Sequence, residues 1–375
     1  MKIAVLGAGQ MGTAAVYDLA RADGVSEVLV CDMDLARAQD VAARFGDGKA
    51  TSLKRDLSDV GAVTAALQGC RSALASASYR LNEGLTRAAI AAGCHLVDLG
   101  GNNDVVRAQF DLSEQAAAAG VGIIPDCGLA PGMVSVLAMR VLEQLPDAEA
   151  VRLRVGGLPL EPQEPWNYQV VFSVEGLINE YLEPAAVLRD GEVVEVPSLA
   201  ELEELTFPEP FGRLEAFTTS GGASTLPWTL KGRVRDLDYK TIRYPGHGER
   251  MAAVFALGLA GEEPRTVNGV AVQPRKVLEA MIAETLGGDG PDCVLTLVEA
   301  EGPSGTVGLR LIDRLDPETG LTAMMRCTAF PAAVIVHMLA TGAIEQRGTL
   351  HQENVVPPAS FIDALRARGL DVAEV

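Results

Sequence analysis

The chain opens on a short apolar run followed by closely spaced glycines, in the segment MKIAVLGAGQMG. The run from Lys2 to Leu6 predicts a buried strand, and the residues from Thr13 to Ala20 predict a helix. Between them, G-x-G-x-x-G spacing predicts a turn whose glycines allow a tight bend, close approach of a pyrophosphate and contact of the helix with the strand. The residues expected to contact such a cofactor here are Gly7, Gly9, Gln10, Met11 and Gly12.

The second predicted strand has an acidic residue at its end. Val28 to Cys31 form this strand, and Asp32 follows it about twenty residues after the last glycine, where the motif expects an acid. A carboxylate there accepts hydrogen bonds from both ribose hydroxyls and repels a 2′-phosphate. We therefore expect NAD as the cofactor, with NADP as the alternative because Arg37 lies close by. The glycines alone also fit a plain turn, and Asp32 and Asp34 also fit caps of the next helix.

Strands and helices alternate from Met1 to about Pro125, which predicts an α/β fold with a parallel, doubly wound sheet. Ligands of such sheets bind at the carboxyl ends of the strands. The loops at 76–79, 98–103 and 125–132 should therefore line one crevice. In the first two of these loops, the residues expected to contact the cofactor are Ser76, Ser78 and Asp98.

The pattern changes near Leu145, where short strands with longer loops predict a second domain. In residues 306–330, two alternating runs joined by a turn that contains Pro and Gly predict a β-hairpin. The next segment, PAAVIVHMLATG, predicts a helix with Pro331 in its first turn and Gly342 past its end.

The amino-acid composition and the net charge limit which kinds of molecule the protein is expected to bind. A formal net charge of -19 argues against nucleic acids and anionic membranes, because clustered Lys and Arg bind phosphate groups. The 6 cysteines include no C-x-x-C pair, which argues against a disulfide framework or a zinc site, and we expect no bound metal. No basic leader precedes the first strand, and we expect no apolar run of the roughly eighteen residues that a membrane helix needs. These features predict a cytoplasmic protein.

Four further stretches resemble one protein family. They are VDLGGN from Val97, IIPDCGLAPGMVS from Ile123, FSVEGLINEYLEPA from Phe172 and DYKTIRYPGHGERM from Asp238. On these segments and the glycine motif, the chain resembles the saccharopine dehydrogenase superfamily, and within it the bacterial and archaeal L-lysine 6-dehydrogenases. The resemblance implies NAD-dependent oxidative deamination of the ε-amino group of L-lysine by hydride transfer.

The same resemblance implies a domain organisation. It implies a Rossmann domain at 1–126, an inserted α+β substrate and dimerisation domain at 127–329, and C-terminal helices at 330–375 that return to the Rossmann domain. A homodimer acting on a small amine or amino acid is the assembly implied.

Amine oxidation needs a group that takes a proton from the ammonium, and such a group is expected at the end of the segment VGIIPDCG, the fifth strand that the sequence predicts. Asp126 and Cys127 lie there, just before a helix, and are our candidate catalytic residues. Asp126 would orient or deprotonate the amine, and it fits a helix cap or turn residue equally well. Cys127 also fits the description of a small buried packing residue.

The segment DYKTIRYPGH supplies candidates for binding the charged groups of the substrate. Strand alternation places Lys240 and Tyr244 on one face and Arg243 on the other. Arg243 offers paired N–H donors to an α-carboxylate, with Lys240 as the alternative partner and Tyr244 as a further substrate contact. His247, beyond the Pro-Gly turn, is a candidate acid–base catalyst, although a histidine in a loop is usually solvated or packed.

Acidic and aromatic residues complete the candidate set. Glu175, and with it Glu180, lies on a predicted helix and is a candidate partner for the distal ammonium of lysine, unless both are exposed or capping carboxylates. Trp166 and Tyr168 fit either a pocket wall or the core of the second domain.

Two alternative functions stay open. A saccharopine or carboxynorspermidine dehydrogenase would act on substrates with more carboxylates, and would need more cations around its pocket than these segments supply. A nucleotide-binding protein that has lost its chemistry would bind NAD without turning over any amine.

Overall fold

The computed structural model describes residues 1–288 and 290–375, which form two compact units. The first unit comprises Met1–Gln144, Ser224–Leu226 and Met325–Val372, and the second comprises Leu145–Ala223, Pro227–Met324 and Ala373–Val375. The boundaries of these units lie after Gln144 and Met324, whereas the predicted ones lie after residues 126 and 329. The helix Met133–Gln144 accounts for the first difference, because it contacts two C-terminal helices of the first unit.

The first 144 residues contain six strands and seven α-helices, together with a short 3-10 helix at Tyr79–Leu81. The strands are β1 (Lys2–Leu6), β2 (Glu27–Asp32), β3 (Ala50–Lys54), β4 (Ser72–Ala75), β5 (His95–Asp98) and β6 (Gly122–Ile124). The helices are α1 (Gln10–Arg21), α2 (Leu35–Phe45), α3 (Val60–Leu67), α4 (Asn82–Ala92), α5 (Asn103–Phe110), α6 (Ser113–Ala118) and α7 (Met133–Gln144).

The elements from 145 to 322 are mostly strands. The strands are β7 (Ala150–Pro159), β8 (Ala185–Arg189), β9 (Glu192–Val196), β10 (Glu203–Phe207), β11 (Gly212–Thr218), β12 (Asp236–Arg243), β13 (Arg265–Val267), β14 (Val270–Val272), β15 (Asp292–Gly302) and β16 (Gly305–Arg314). The helices are α8 (Val174–Leu182), α9 (Leu226–Thr229), α10 (His247–Ala256) and α11 (Pro274–Leu286).

The C-terminal part is mostly helical. It contains α12 (Ala323–Thr341), β17 (Gly348–Thr349), α13 (Gln352–Val355), α14 (Pro358–Arg366) and β18 (Ala373–Glu374).

The first unit is built on a parallel sheet in the order β17-β6-β5-β4-β1-β2-β3. Strand β1 lies between β4 and β2, so the strand order reverses there, and ligands of doubly wound sheets bind at such a point. Apolar side chains of the strands and flanking helices, among them Leu6, Cys31, Leu67 and Leu96, form its core. The predicted doubly wound α/β fold is confirmed.

The second unit is a mixed sheet with helices, as predicted for an inserted α+β domain. Its main path runs β10-β11-β12-β7-β15-β16-β18, and β12 pairs parallel with β7 while the other neighbours on this path are antiparallel. Strand β8 pairs with β12 and β9, and β13 pairs with β14. Because Lys240 lies opposite Arg154 in the register of β12 and β7, the side chains of Lys240 and Arg154 share one face of the sheet.

The predicted hairpin over 306–330 is wrong in its second strand. The hairpin in the structure joins β15 to β16, and the chain after Arg314 leads into a helix that begins at Ala323 and contains Pro331 in its interior. Asp292 explains the early start, because its carboxylate accepts hydrogen bonds from the backbone N–H groups of Ala323 (2.7 Å) and Met324 (2.9 Å). A residue distant in sequence thus caps this helix.

The expectation of no apolar run of membrane length is also wrong. Helix α12 has 19 residues and is apolar enough to cross a bilayer by length and composition. Of the most apolar 18-residue stretch of this helix, 83% is buried inside the protein, as in the core helix of a folded domain.

Candidate functional site

The glycine turn forms the first candidate site, between β1 and α1. Gly7 has a φ of 113°, and a β-carbon on Gly12 would collide with the carbonyl oxygen of Gly7. The turn therefore requires glycine at both positions. Gln10 and Met11 lie in the first turn of α1, where backbone N–H groups lack intrahelical acceptors and attract anions. Gly9 has open space around its α-carbon, which lets a ligand approach the backbone.

Asp32 holds this turn in place. One carboxylate oxygen accepts the backbone N–H of Ala8 at 2.8 Å, and the other accepts that of Asp34 at 2.8 Å. Asp34, not Asp32, caps α2, by accepting the N–H groups of Ala36 and Arg37. The capping alternative thus holds for Asp34, and Asp32 lies beside the glycine turn, where the ribose of a dinucleotide is expected.

Ser76, Ser78 and Asp98, the other predicted cofactor contacts, differ in how far they are exposed and in what they bind. The Ser76 hydroxyl donates to the carbonyl oxygen of Gly7 at 2.9 Å and lies beside Gly12. Ser78 is exposed just before the 3-10 helix. Asp98 is fully buried, and its oxygens accept hydrogen bonds from the Gly100 backbone N–H and the Gln109 side chain. Asp98 therefore fixes the loop after β5, and its side chain presents little surface to a cofactor.

Asp126 lies after β6 in a strained, buried position. Its φ is 61°, its side chain is 4% exposed, and the Ser224 hydroxyl donates to Oδ2. A β-carbon on Gly100 would collide with Oδ1, so the glycine loop after β5 makes room for this carboxylate. Burial, with the charge of Asp98 as a second cause, raises the pKa of Asp126 to about 7. The carboxyl group can therefore exchange a proton near neutral pH.

Cys127 is not placed for thiol chemistry. Its side chain is fully buried, and its thiol lies 3.4 Å from the carbonyl oxygens of Ile124 and Pro125. Burial, followed by the negative charges of Asp98 and Asp126, raises the pKa of the thiol well above its usual range. The catalytic role predicted for Cys127 is therefore replaced by a packing role.

The second candidate site is a buried cation among aromatic rings in the second unit. Arg243, 2% exposed, lies at the end of β12 with its guanidinium 4.7 Å from the ring centre of Tyr168 and 5.7 Å from that of Tyr181. Its Nε donates to the Tyr181 hydroxyl at 2.8 Å. Within residues 1–288 and 290–375, no carboxylate lies within 4.0 Å of this guanidinium. Buried charges are normally paired, so an unpaired one points to an anionic ligand.

His247 supports this cluster and is held in one tautomer. It begins α10, is fully buried, and its Nδ1 lies 3.3 Å from the carbonyl oxygen of Trp166. Because a carbonyl only accepts, Nδ1 carries the hydrogen, and Nε2 accepts from the Tyr181 hydroxyl at 3.1 Å. Burial, then the charge of Arg243, lowers the pKa of His247 to about 3. The predicted loop acid–base catalyst is instead a neutral helix residue that orients Tyr181.

Lys240 and Tyr244 do not join Arg243. The ammonium of Lys240 pairs with Glu203 at 2.7 Å, and Glu203 in turn pairs with the buried Arg154. The Tyr244 hydroxyl donates to the carbonyl oxygen of Pro159 at 3.1 Å. Lys240 lies on the opposite face of β12 from Arg243, and Tyr244 follows the end of this strand, so the predicted substrate contacts of Lys240 and Tyr244 are corrected to structural ones.

Helix α8 places one of its two acidic candidates near the buried cation. Glu175 lies in the first turn of the helix, where carboxylates are favoured. Glu180 lies within electrostatic range of Arg243, and burial, opposed by that cation, raises its pKa to about 7. Glu180 is therefore the carboxylate of this helix that belongs with the Arg243 cluster. Tyr168 and Trp166 contact His247 in the same cluster.

The structure brings several further polar residues to these sites that the sequence did not predict. They are Tyr181 beside Arg243, Ser224 beside Asp126, and Gln352 and Glu353 of α13, of which Gln352 donates to the Asp126 carbonyl oxygen at 2.6 Å. No local motif marks them, since each partner lies far away in the chain. In the described part of the chain, no group of three or more His, Cys, Asp or Glu residues is arranged to hold a metal.

Two segments of the chain match known protein families. Residues 3–124 match the family described as saccharopine dehydrogenase NADP binding domain. Residues 128–370, more than half of the chain, match the saccharopine dehydrogenase C-terminal domain. The chain belongs to the saccharopine dehydrogenase family. Its N-terminal match is to an NAD(P)-type domain, which agrees with the glycine turn of the first unit.

Individual relatives of this saccharopine dehydrogenase family member are distant. The chain is 27% identical over 168 residues to the mitochondrial alpha-aminoadipic semialdehyde synthase of Rattus norvegicus, covering 42% of this chain and 18% of that protein. It is 22% identical over 308 residues to saccharopine dehydrogenase [NADP(+), L-glutamate-forming] of Pyricularia oryzae, covering 79% and 66% of the two chains. The matched region thus spans about a fifth of the rat protein and just under two thirds of the fungal one.

One solved structure shares the fold over the whole chain. Saccharopine dehydrogenase (L-Glu forming) from Saccharomyces cerevisiae superimposes with a TM-score of 0.80 at 20% identity, covering 100% of this chain and 99% of that one. At this identity the likeness establishes the fold of this family member.

Proposed function

We propose that the protein oxidises the ε-amino group of L-lysine with NAD as the hydride acceptor. The proposal rests on the buried guanidinium of Arg243, which has aromatic neighbours. Among the described residues, no carboxylate lies within ion-pairing distance of this guanidinium. Such a group is suited to bind the single α-carboxylate of an amino acid through paired N–H donors.

The first unit fits a dinucleotide. The collision that a β-carbon on Gly12 would cause, the open space at Gly9 and the N-terminus of α1 form a cradle for a pyrophosphate. When bound, the nicotinamide supplies the acceptor for a hydride from the substrate carbon. Asp32, beside this cradle, would bind the ribose hydroxyls, which supports NAD over NADP.

Asp126 is the proposed proton acceptor for the substrate ammonium. Its raised pKa leaves a useful fraction of carboxylate at neutral pH, and the hydrogen bond from Ser224 holds that carboxylate in one orientation. Arg243 is held by Tyr181, and Tyr181 is held by the neutral ring of His247, so the guanidinium has a fixed direction. Glu180, within electrostatic range of Arg243, is the proposed partner of the α-ammonium, and the distal ammonium is assigned to Asp126.

Saccharopine is the second candidate substrate, because the fungal relative and the yeast structure that the chain resembles are both named saccharopine dehydrogenase. Saccharopine carries more carboxylates than lysine, and each would need a cation. The other buried cations of the mixed sheet, Arg154 and Lys240, are already paired with Glu203. Among the described residues of this sheet, Arg243 is the buried cation left to pair with a substrate carboxylate, which favours the substrate with one carboxylate.

The test is NADH formation by the purified protein with L-lysine, with saccharopine in a parallel reaction. Turnover with lysine alone supports the proposal. Turnover with saccharopine alone moves the protein to the second candidate, and NAD binding without turnover of either amine would contradict both. The proposed homodimer in the cytoplasm is tested separately, by the molar mass in solution and by fractionation of cells.

A further inference from the structure

A small pocket in the first unit adjoins Asp126. Its volume suits about one water molecule. Its lining combines apolar and polar side chains, among them Phe110, Asp126, Thr225, His351 and Gln352. Every one of these residues belongs to the first unit.

Three polar atoms of this lining are buried and lack a hydrogen-bond partner in the described part of the chain. They are Oδ1 of Asp126, Nδ1 of His351 and Oε1 of Gln352. Proteins leave few buried polar atoms unpaired, and three on one small pocket indicate a shared bound partner. A water molecule needs two to four polar partners in about this much space, and it can donate to two of these atoms while accepting from the third.

His351 links this pocket to the surface. Its side chain is 37% exposed, whereas its Nδ1 is buried. The ring is stacked on Phe110 with centroids 4.2 Å apart, which fixes its plane, and Nδ1 lies 3.9 Å from a carboxylate oxygen of Glu353. Imidazole is suited to pass a proton, since one ring nitrogen can accept it while the other releases one.

The remaining charged and titratable neighbours of Asp126 are acidic or neutral. Asp98 of β5 and Glu353 of α13 both act to raise its pKa, while Ser224 lowers it by donating a hydrogen bond. Thr225, next to Ser224, donates to Glu353 at 2.8 Å. A proton taken up by Asp126 is therefore held in an acidic, buried environment and needs a route to solvent.

We propose that a water molecule bound in this pocket connects Asp126 to His351, and that His351 passes protons between Asp126 and the solvent. The protonated carboxyl group of Asp126 donates its proton to the water, and the water gives one of its own to Nδ1 of His351. Nε2 then releases its proton to the solvent, so one proton leaves Asp126 and one reaches the bulk. The Gln352 oxygen accepts the second hydrogen of the water and orients it. This relay rests on the proposed role of Asp126 as proton acceptor.

The test compares His351→Phe with His337→Phe. The first variant keeps the stacked ring and removes both nitrogens, and the second changes a histidine of α12 that bonds the carbonyl oxygen of Asp23. We expect kcat of His351→Phe to fall about tenfold or more in dilute buffer and to recover when free imidazole is added, with the KM for NAD unchanged. His337→Phe should show neither effect. An unchanged kcat in dilute buffer, or a loss that imidazole does not restore, would overturn the relay while the proposed function stands.

A second readout does not depend on turnover. The carbonyl band of protonated Asp126, assigned with Asp126→Asn, can be followed by infrared spectroscopy after a pH jump. Protonation of Asp126 should be slower in His351→Phe than in the native protein, and equal rates would contradict the relay even if no amine is turned over. His351→Asn keeps a polar group at the position of Nδ1 but cannot pass a proton, so it should behave like His351→Phe. If His351→Phe misfolds, His351→Asn takes its place in both experiments.

Discussion

Ser224 donates a hydrogen bond to the carboxylate of Asp126, although 98 positions separate the two residues in the chain. Both are non-glycine residues with positive φ, 43° for Ser224 and 61° for Asp126. Left-handed backbone in such residues is unfavourable and persists where the surrounding structure requires it. The pair therefore combines local strain with a buried carboxyl group that can exchange protons.

Replacing Ser224 with Ala should move the pH dependence of turnover upward. The hydroxyl stabilises the ionised form of Asp126, so its loss raises a pKa that already lies at about 7. Activity that needs the carboxylate rises with pH through this value, and the midpoint for Ser224→Ala should lie at higher pH than that of the native protein. The profile of kcat/KM against pH measures this. A midpoint that stays in place would remove Ser224 from the proton-transfer step.

Asp126 should also lower the stability of the native protein as the pH rises. Its pKa is about 7 when folded and near the usual 3.8 when unfolded, so the folded state binds more protons between these values. The free energy of unfolding therefore falls from about pH 4 to about pH 7, and Asp126→Asn should avoid this loss. We expect the variant to be more stable than the native protein at pH 8 by on the order of 2 kcal/mol, and the gap to close near pH 4. Urea unfolding at the two pH values measures the difference in free energy of unfolding between Asp126→Asn and the native protein. A difference that does not change with pH would contradict the raised pKa of Asp126.

Arg243→Met should weaken substrate binding without unfolding the protein. Removing a cation that pairs with a ligand carboxylate should lower kcat/KM for lysine by about 100-fold, with NAD affinity unchanged. The stability of the variant should be close to native, because an unpaired buried charge is costly and Met is apolar and similar in length. Lys240→Met is the matched control, since it breaks an ion pair on the opposite face of β12. Lys240→Met should leave the KM for lysine unchanged. An equal rise of this KM in Lys240→Met and Arg243→Met would show that Arg243 is not the carboxylate partner.

The substitution Asp32→Ala should weaken the binding of NAD more than the binding of NADP. The substitution removes the ribose acceptor, and it also removes the hydrogen bond that holds Ala8 in the glycine turn, so some loss is expected for both nucleotides. We expect about tenfold weaker NAD binding, with a smaller loss for NADP because the repulsion of its 2′-phosphate is relieved. Dissociation constants from calorimetry give the comparison. Equal losses would leave Asp32 with the structural role alone.

Cys127→Ala should remain active to within about threefold, because the thiol is buried and its raised pKa keeps it protonated. In the native protein, this thiol should react with alkylating reagents only after unfolding, which mass spectrometry of labelled peptides can detect. A large loss of activity in the variant, with the fold intact by circular dichroism, would restore a catalytic role for Cys127.

Local patterns predicted the parts of the site that depend on neighbouring residues. The apolar run of β1 and the G-x-G-x-x-G spacing identify the turn, because only glycine fits the positive φ of Gly7 and the close contact at Gly12. Alternation along β12 likewise separates Lys240 from Arg243, as the structure has them. Alternation did not show which of the two would be paired, because Glu203 reaches Lys240 from another strand.

Residue patterns along the chain were enough to predict the class of fold and the glycine turn with Asp32 at the end of the second strand. They also placed Asp126 and Arg243 near the ends of strands. Those features follow from periodicity and from backbone conformations that few residues adopt. Other features depend on the folded chain: Ser224 meets Asp126, Tyr181 joins Arg243 to a neutral His247, and Asp292 caps α12 at Ala323. A pKa, an ion pair and a helix cap each depend on burial and on partners that the path of the chain brings together, and a short stretch of sequence specifies neither the burial nor the partners.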